Sequence, residues 1–283
     1  MAVAAAVVVL AFGSTMASAD APDDTALPLG ELHISSGPEA GSFWSCQTNF
    51  SNRKPPAGDW ISGSTWDSTA KPVVPGEVEW DGEFSTEISG DDRIITANGV
   101  PTDHTTGEFP IPTDSEAYQY DPGNRSTIAE QDISITVPVL PTKSDEPQCA
   151  SGTVGITVSG VLLNSGLDAE GVDAVAYHVE DSCHGHPAGT TYHQHSWSPC
   201  LEDAEGDGHS ALLAYALDGF GIYGVRGKGG EELSAADLDE CHGHTHKIKW
   251  DGEKVKLYHY HFTDDFPYAV GCFVGTATQA PHF

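Results

Sequence analysis

The chain is poor in positive charge, and this limits what it can bind. Only 12 of its 283 residues are Lys or Arg, against 42 Asp or Glu, which gives a formal net charge of −30. Phosphate backbones and anionic membranes are bound through cations, so this balance argues against nucleic acid and anionic lipid as partners. The acidic residues are scattered along the chain, so no acidic tail is indicated.

Long apolar runs are also scarce. The main one covers residues 4–12, which is too short to span a bilayer, so no membrane insertion is expected. It is followed by Ala17-Ser18-Ala19, a small-residue pattern typical of a signal-peptide cleavage site. We therefore expect residues 1–19 to be a signal peptide, cleaved near Ala19, of a secreted, extracellular protein. A short anchor helix is the alternative.

The common catalytic motifs are missing as well. The sequence contains no G-x-S-x-G, no H-E-x-x-H, no phosphate-binding loop and no G-x-G-x-x-G. The sequence therefore leaves open whether the protein is an enzyme.

The chain does contain six cysteines, which in an exported protein predict up to three disulfides. Six cysteines can pair in fifteen ways, and sequence alone does not choose among them. We favour Cys183–Cys200, Cys241–Cys272 and Cys46–Cys149, because the first two would close two histidine-rich segments. Thiolate ligation of a metal is the alternative.

The remaining composition favours strands and turns. The chain has 31 Gly and 18 Pro, and residues 133–137 and 154–158 alternate apolar and polar side chains, as half-buried strands do. We predict a mainly β fold: a single large β-sandwich or barrel-like domain with long loops, few short helices and disulfide staples. The best helix candidate is residues 231–239, with Ser234 as a possible cap.

Histidine is the most informative residue type. Nine of the fourteen histidines lie in two windows, residues 183–200 and 241–272, each bracketed by cysteines. Both windows open with Cys-His-Gly-His and later carry Tyr-His-x-His. Imidazole is the commonest protein ligand of transition metals.

Each window can be folded into a hairpin that pairs its histidines. Asp251-Gly252 favours a type I′ turn, and residues whose numbers sum to 503 would then lie opposite each other. This register predicts the pairs His244 with His259 and His242 with His261. In the first window Gly189-Thr190 favours a turn at which residues whose numbers sum to 379 lie opposite each other. This register pairs His186 with His193 and His184 with His195. Finding one arrangement twice indicates an internal duplication or a pseudo-symmetric pair.

Directly opposed residues have Cβ atoms about 4.5–5.5 Å apart, so these imidazoles would converge. Zinc and copper bind neutral imidazole nitrogens in sets of three or four. The predicted metal ligands are His184, His186, His193, His195, His242, His244, His259 and His261. A buried, hydrogen-bonded histidine cluster is the alternative. Asp218, Asp264 and Asp265 are candidate catalytic bases, and nearby carboxylates could hold calcium as a secondary structural ion.

Several blocks carry a family resemblance. They are YHYHFTDDFPYAVGCF at 258–273, DLDECHGH at 237–244, YALDGFGIYG at 215–224, TYHQH at 191–195, GVLLNSG at 160–166 and NGVPTDHTTGEFP at 98–110. Over roughly 98–275 the chain resembles the YHYH-domain family, whose members are exported, often bacterial, and without an assigned reaction. The resemblance implies an extracellular location. This chain departs from the pattern at Gln194, His184 and His242, which leaves the other six histidines as the safer ligands.

The expected organisation is a loose leader over 20–41, a β segment over 42–97 and a YHYH domain over 98–283, which forms one compact unit with 42–97. The predicted function is a secreted protein that binds copper or zinc through paired His-x-His hairpins, with binding that weakens below about pH 6 as imidazole protonates. The alternatives are a redox or hydrolytic metalloenzyme at the same cluster, or a non-metal adhesion or carbohydrate-binding module. No protein or carbohydrate partner can be identified from the sequence.

Overall fold

A computed structural model describes residues 23–51, 54–55, 57–201, 203 and 208–281. The predicted signal peptide, residues 1–19, lies outside the described residues.

Short strands dominate the described part of the chain. They are β1 (Leu27–Pro28), β2 (Ile34–Ser35), β3 (Phe43–Trp44), β4 (Ile61–Ser62), β5 (Thr65–Trp66), β6 (Phe84–Ser89), β7 (Asp92–Ala97), β8 (Ile133–Pro138), β9 (Thr153–Thr157), β10 (Leu162–Asn164), β11 (Gly185–Ala188), β12 (Thr191–Gln194), β13 (Leu212–Ala216), β14 (Gly221–Tyr223), β15 (Gly243–Trp250) and β16 (Glu253–His261). The helical segments are one α-helix, α1 (Ala174–Tyr177), and 3-10 turns at Gly30–Leu32, Ala117–Gln119 and Ala235–Asp237. The prediction of a mainly β fold with few short helices is confirmed.

The largest sheet has eight strands, arranged as two halves of four strands with the same connectivity. The order is β11-β12-β10-β9-β13-β14-β16-β15. In each half a hairpin (β9–β10 or β13–β14) is followed by a second hairpin (β11–β12 or β15–β16), whose last strand pairs in parallel with the first hairpin. The halves meet through the antiparallel pair β9–β13. The sheet is therefore a pseudo-twofold repeat of one four-strand unit.

Both histidine hairpins have the register that the sequence predicts. His244 lies opposite His259, and His186 lies opposite His193. Asp251 and Gly252 both have positive φ, as a type I′ turn requires. Pro187 is accommodated because β11 is an edge strand, where one side of the backbone needs no ladder donor.

A smaller sheet, β6-β7-β8, shares the core of the large one. Its inward residues Ile95, Ile133 and Ile135 are almost completely buried. The two sheets are also joined by Arg93, whose buried guanidinium donates to both carboxylate oxygens of Asp251 at 2.8 and 2.6 Å. Both hydrogen bonds come from Nη2, and this charge-assisted contact holds the tip of the β15–β16 hairpin.

Three disulfides join the pairs favoured from the sequence. They are Cys46–Cys149, Cys183–Cys200 and Cys241–Cys272, and no free cysteine is found among the described residues. The second and third each close one histidine hairpin, at equivalent places in the repeat.

One local expectation differs from the structure. The helix predicted over 231–239 is reduced to the single turn Ala235–Asp237, which Ser234 and Asp237 cap reciprocally, because Leu233 and Leu238 on either side are buried. In the segment expected to be a loose leader, Leu27 and Leu29 are each 2% exposed, whereas residues 23–26 and 38–40 are exposed.

None of the helices in the described residues is long and apolar enough to cross a membrane.

The outer face of the β15–β16 hairpin carries four exposed lysines in two directly opposed pairs, Lys247 with Lys256 and Lys249 with Lys254. Opposed like charges destabilise a sheet, and an opposed ion pair contributes about 0.2–1 kcal/mol. We expect Lys256→Glu to raise the free energy of unfolding by about 0.5 kcal/mol in low salt, measured by chemical denaturation. Lys256→Gln is the matched control and should gain less, because it only removes repulsion. A destabilised Lys256→Glu would contradict the assigned register.

Candidate metal centre

The first histidine cluster consists of His186, His193 and His195, which are 4–7% exposed. His193 Nδ1 lies 3.1 Å from the Thr191 carbonyl oxygen, and His195 Nδ1 lies 2.5 Å from that of Ser165. A carbonyl oxygen only accepts hydrogen bonds, so each Nδ1 carries the proton and each neutral ring presents a bare Nε2 lone pair. The two Nε2 atoms are nevertheless 3.1 Å apart, and that of His186 is buried without a partner among the described atoms.

The second cluster has the same chemistry with five rings: His209, His244, His246, His259 and His261. All but His244 place Nδ1 at 2.6 to 3.1 Å from a main-chain carbonyl, so their Nε2 atoms also carry lone pairs. His209 Nε2 and His259 Nε2 are 3.2 Å apart, and His244 Nε2 and His261 Nε2 are 3.1 Å apart.

These separations match those of nitrogens around a metal ion. Ligands at about 2.0–2.1 Å from a tetrahedral ion are about 3.3 Å from one another. Within each cluster all the ligand atoms lie within 4.8 Å of one another. Lone pairs at this distance repel unless a cation lies between them. Each cluster could therefore hold a metal ion.

A proton shared between two Nε2 atoms is the other cation that could lie between them. Burial opposes this protonation. Desolvation lowers the pKa of His193 to about 4, that of His244 to about 4 and that of His259 to about 2. It also takes the pKa of His195 and His261 well below the ordinary value. At neutral pH the rings are uncharged, which is the form that binds a metal.

A buried carboxylate positions the start of the first hairpin. Asp181 Oδ1 accepts from the main-chain N–H groups of Cys183 and Gly185 at 2.9 and 3.1 Å. Its Oδ2 accepts from the Tyr192 hydroxyl at 2.8 Å and from Gly107 N at 2.8 Å. The tyrosine that alternates with the histidines along β12 thus ties the opposite face of that strand to the Cys-His-Gly-His turn.

Asp239 does the same in the second half. Its Oδ1 accepts from Cys241 N and Gly243 N, each at 3.1 Å, and from the Tyr258 hydroxyl at 2.8 Å. The repeat therefore extends beyond the histidines to the residues that orient them.

Two predicted ligands, His184 and His242, lie outside both clusters. Each has a positive φ, 58° and 74°, so neither continues its strand and neither side chain follows the inward face. His184 Nδ1 donates to the Trp197 carbonyl at 2.8 Å, and His242 Nε2 is 3.0 Å from Thr263 Oγ1. The structure brings together the other six predicted histidines, three in each cluster.

The structure adds two histidines to the second cluster. His246 was visible in the sequence register, because it continues the inward face opposite Leu257. His209 has no such signal. It precedes β13, and only the β13–β14–β16 pairing brings it to the hairpin.

The three carboxylates proposed as bases belong to neither cluster. Asp218 is 1% exposed and accepts from the Tyr260 hydroxyl and Gly275 N, and burial raises its pKa. Asp265 accepts from Ala235 N, and burial likewise raises its pKa. Asp264 borders a different cavity, which it shares with His184, and burial raises its pKa to about 6.

Comparison with protein families identifies one match: the model of the YHYH protein family aligns with residues 134–230. This segment contains the small-sheet strand β8, the whole first half of the repeat and the β13–β14 hairpin of the second. Comparisons with curated proteins and with solved structures find no match. Residues 134–230 are therefore similar to the YHYH protein family, and the chain also carries two Tyr-His-x-His hairpins.

Proposed function

We propose that this chain is a transition-metal-binding protein with two histidine centres, one in each half of the repeat. The observation that carries the proposal is the approach of imidazole Nε2 lone pairs to 3.1 Å between His193 and His195 and to 3.2 Å between His209 and His259, on rings whose Nδ1 protons are held by main-chain carbonyls. In a neutral histidine cluster held together only by hydrogen bonds, an N–H donor would face each acceptor nitrogen.

The ligand chemistry favours copper or zinc. Both clusters consist of histidine alone, and imidazole suits borderline metals such as zinc and copper. Calcium requires oxygen ligands, and neither cluster supplies them. Calcium as a secondary structural ion therefore stays a separate expectation, outside the histidine centres.

The protein is proposed to act outside the cell. Three disulfides are consistent with an oxidising compartment, where such bonds persist. In that compartment the cysteines do not compete for the metal, because all six are paired.

An adhesion or carbohydrate-binding role has less support. Such modules recognise sugars or partners with exposed aromatic side chains. All six Trp and nine Tyr belong to the described part of the chain, and each is at least partly buried. Redox or hydrolytic chemistry at a histidine centre remains an extension of metal binding, but Asp218, Asp264 and Asp265 lie apart from the clusters.

Metal content tests the proposal. We expect elemental analysis of protein purified from its export compartment to find about two equivalents of copper plus zinc per chain. The variant His193→Gln/His195→Gln should lose about one equivalent, and His244→Ala/His259→Ala/His261→Ala should lose the other, because they leave one and two histidines in the respective clusters.

His33→Gln, a histidine outside both clusters, serves as the control and should keep both equivalents. Folding of each variant is checked by circular dichroism. Parent-like metal content in either cluster variant would count decisively against the centre it was meant to remove.

A further inference from the structure

The two centres differ in the number of donors they offer. The first has three histidines and the second has five. Zinc sites in which the protein supplies three ligands keep a position for water or substrate, whereas sites with four or more protein ligands are closed. If the proposed metal binding holds, only the first centre has a free coordination position.

That position faces a cavity. All three histidines of the first cluster line a cavity of about 590 Å³, a volume within the roughly 300–1,000 Å³ of small-molecule sites. Its walls also include Phe43, Phe50, Leu167 and Ala188. A ligand that enters this cavity can therefore contact both imidazole rings and apolar carbon.

The apolar wall is fixed by the fold. The Phe50 ring rests against Gly171, where any Cβ would come within 2.3 Å of the ring, and the positive φ of this glycine favours the same residue. The chain that leads to Phe50 is tied down by the Cys46–Cys149 disulfide. A rigid wall of this kind favours a ligand of matching shape over a flexible surface contact.

Polar groups occupy one border of the cavity. Asp168 Oδ2 lies 3.0 Å from His178 Nε2, and both side chains line the cavity. The His178 ring centroid is 5.1 Å from that of the metal-facing His186. Asp168 Oδ1 is itself held by the main-chain N–H groups of Glu170 and Val172. This pair gives the cavity a fixed hydrogen-bonding side next to the centre.

We propose that the cavity beside His186, His193 and His195 is a substrate site. It takes a small molecule whose donor atom binds the metal at the free position and whose apolar or aromatic body packs against Phe50 and Leu167. The second centre, with five donors, takes no exogenous ligand. The inference rests on the proposed function and assigns the two halves of the repeat different roles.

The test uses the full chain carrying His244→Gln/His259→Gln/His261→Gln, which leaves only two histidines in the second cluster, and loaded with Co²⁺, so that only the first centre holds metal. Imidazole and 4-phenylimidazole are titrated as probes, and the cobalt d–d absorption reports the change in coordination. We expect both to bind, with 4-phenylimidazole at least about tenfold tighter, because its phenyl ring leaves water. Phe50→Ala should reduce this preference to about threefold or less without lowering cobalt content.

The matched control is Phe84→Ala, a partly buried aromatic outside this cavity, which should keep the full preference. If cobalt binds but its spectrum responds to neither probe, the first centre has no free coordination position, and the proposed metal-binding function still stands. Equal affinities for the two probes would overturn the proposed packing of the ligand against Phe50 and Leu167. Failure of the chain to bind cobalt or zinc at all would instead reject the proposed function.

Discussion

Replacement of Asp181 by alanine is expected to lower the free energy of unfolding by at least about 3 kcal/mol. The carboxylate is 1% exposed and accepts four hydrogen bonds. Its donors are Gly107 N, Cys183 N, Gly185 N and the Tyr192 hydroxyl. Each buried donor left without an acceptor costs about 1–3 kcal/mol, and the carboxylate is buried away from bulk solvent.

The repeat supplies a matched control. Asp239 holds the equivalent turn through three donors, but its side chain is 29% exposed, so water can take over part of its role in Asp239→Ala. We expect about half the loss seen for Asp181→Ala, both measured by chemical denaturation of metal-free protein. A cost for Asp181→Ala equal to or below that for Asp239→Ala would contradict the assignment of Asp181 as a buried anchor.

The second large effect is acid destabilisation of the metal-free protein. Burial lowers the pKa of His193 and of His244 from an ordinary value of 6.5 to about 4. Between about pH 4 and pH 6.5 these histidines bind protons in the unfolded chain but not in the folded chain. Stability is therefore full above about pH 6.5 and falls as the pH drops toward 4. Each such histidine contributes up to about 1.4 kcal/mol per pH unit.

Denaturation curves of metal-free protein at several pH values between 7 and 4 measure this effect. We expect a total loss of about 3 kcal/mol or more over that window, and a visibly smaller slope in His193→Gln/His195→Gln. Metal-loaded protein should keep a flat profile until protons displace the ion, because ligation holds the imidazoles neutral. This displacement is expected nearer pH 5 than the pH 6 anticipated for unperturbed imidazole. A metal-free protein equally stable at pH 7 and pH 4 would contradict the burial of uncharged histidines.

The hairpins could be predicted from the sequence because their information is local. The Asp251-Gly252 turn and the alternation of lysine with apolar residues fix a register, and the register alone opposes His244 to His259. The disulfide pairs follow from the same reasoning, since Cys183–Cys200 and Cys241–Cys272 close these hairpins.

Other features depend on contacts between distant segments. His209 reaches the second cluster only through the order of strands in the sheet, which no sequence period encodes. His184 and His242 leave their strands because each adopts a left-handed conformation at a turn that Asp181 or Asp239 organises. The pattern Cys-His-Gly-His does not show that its first histidine points away from the cluster and its second points into it, because the folded turn decides this.

The antiparallel pairing of β9 with β13 covers an edge that each half of the large sheet would otherwise expose. An exposed edge strand invites uncontrolled association with other chains, so the joining of the halves protects the protein against it. Because both halves belong to one polypeptide, a substitution in one half leaves the other unchanged, and the two halves can carry unequal numbers of histidines.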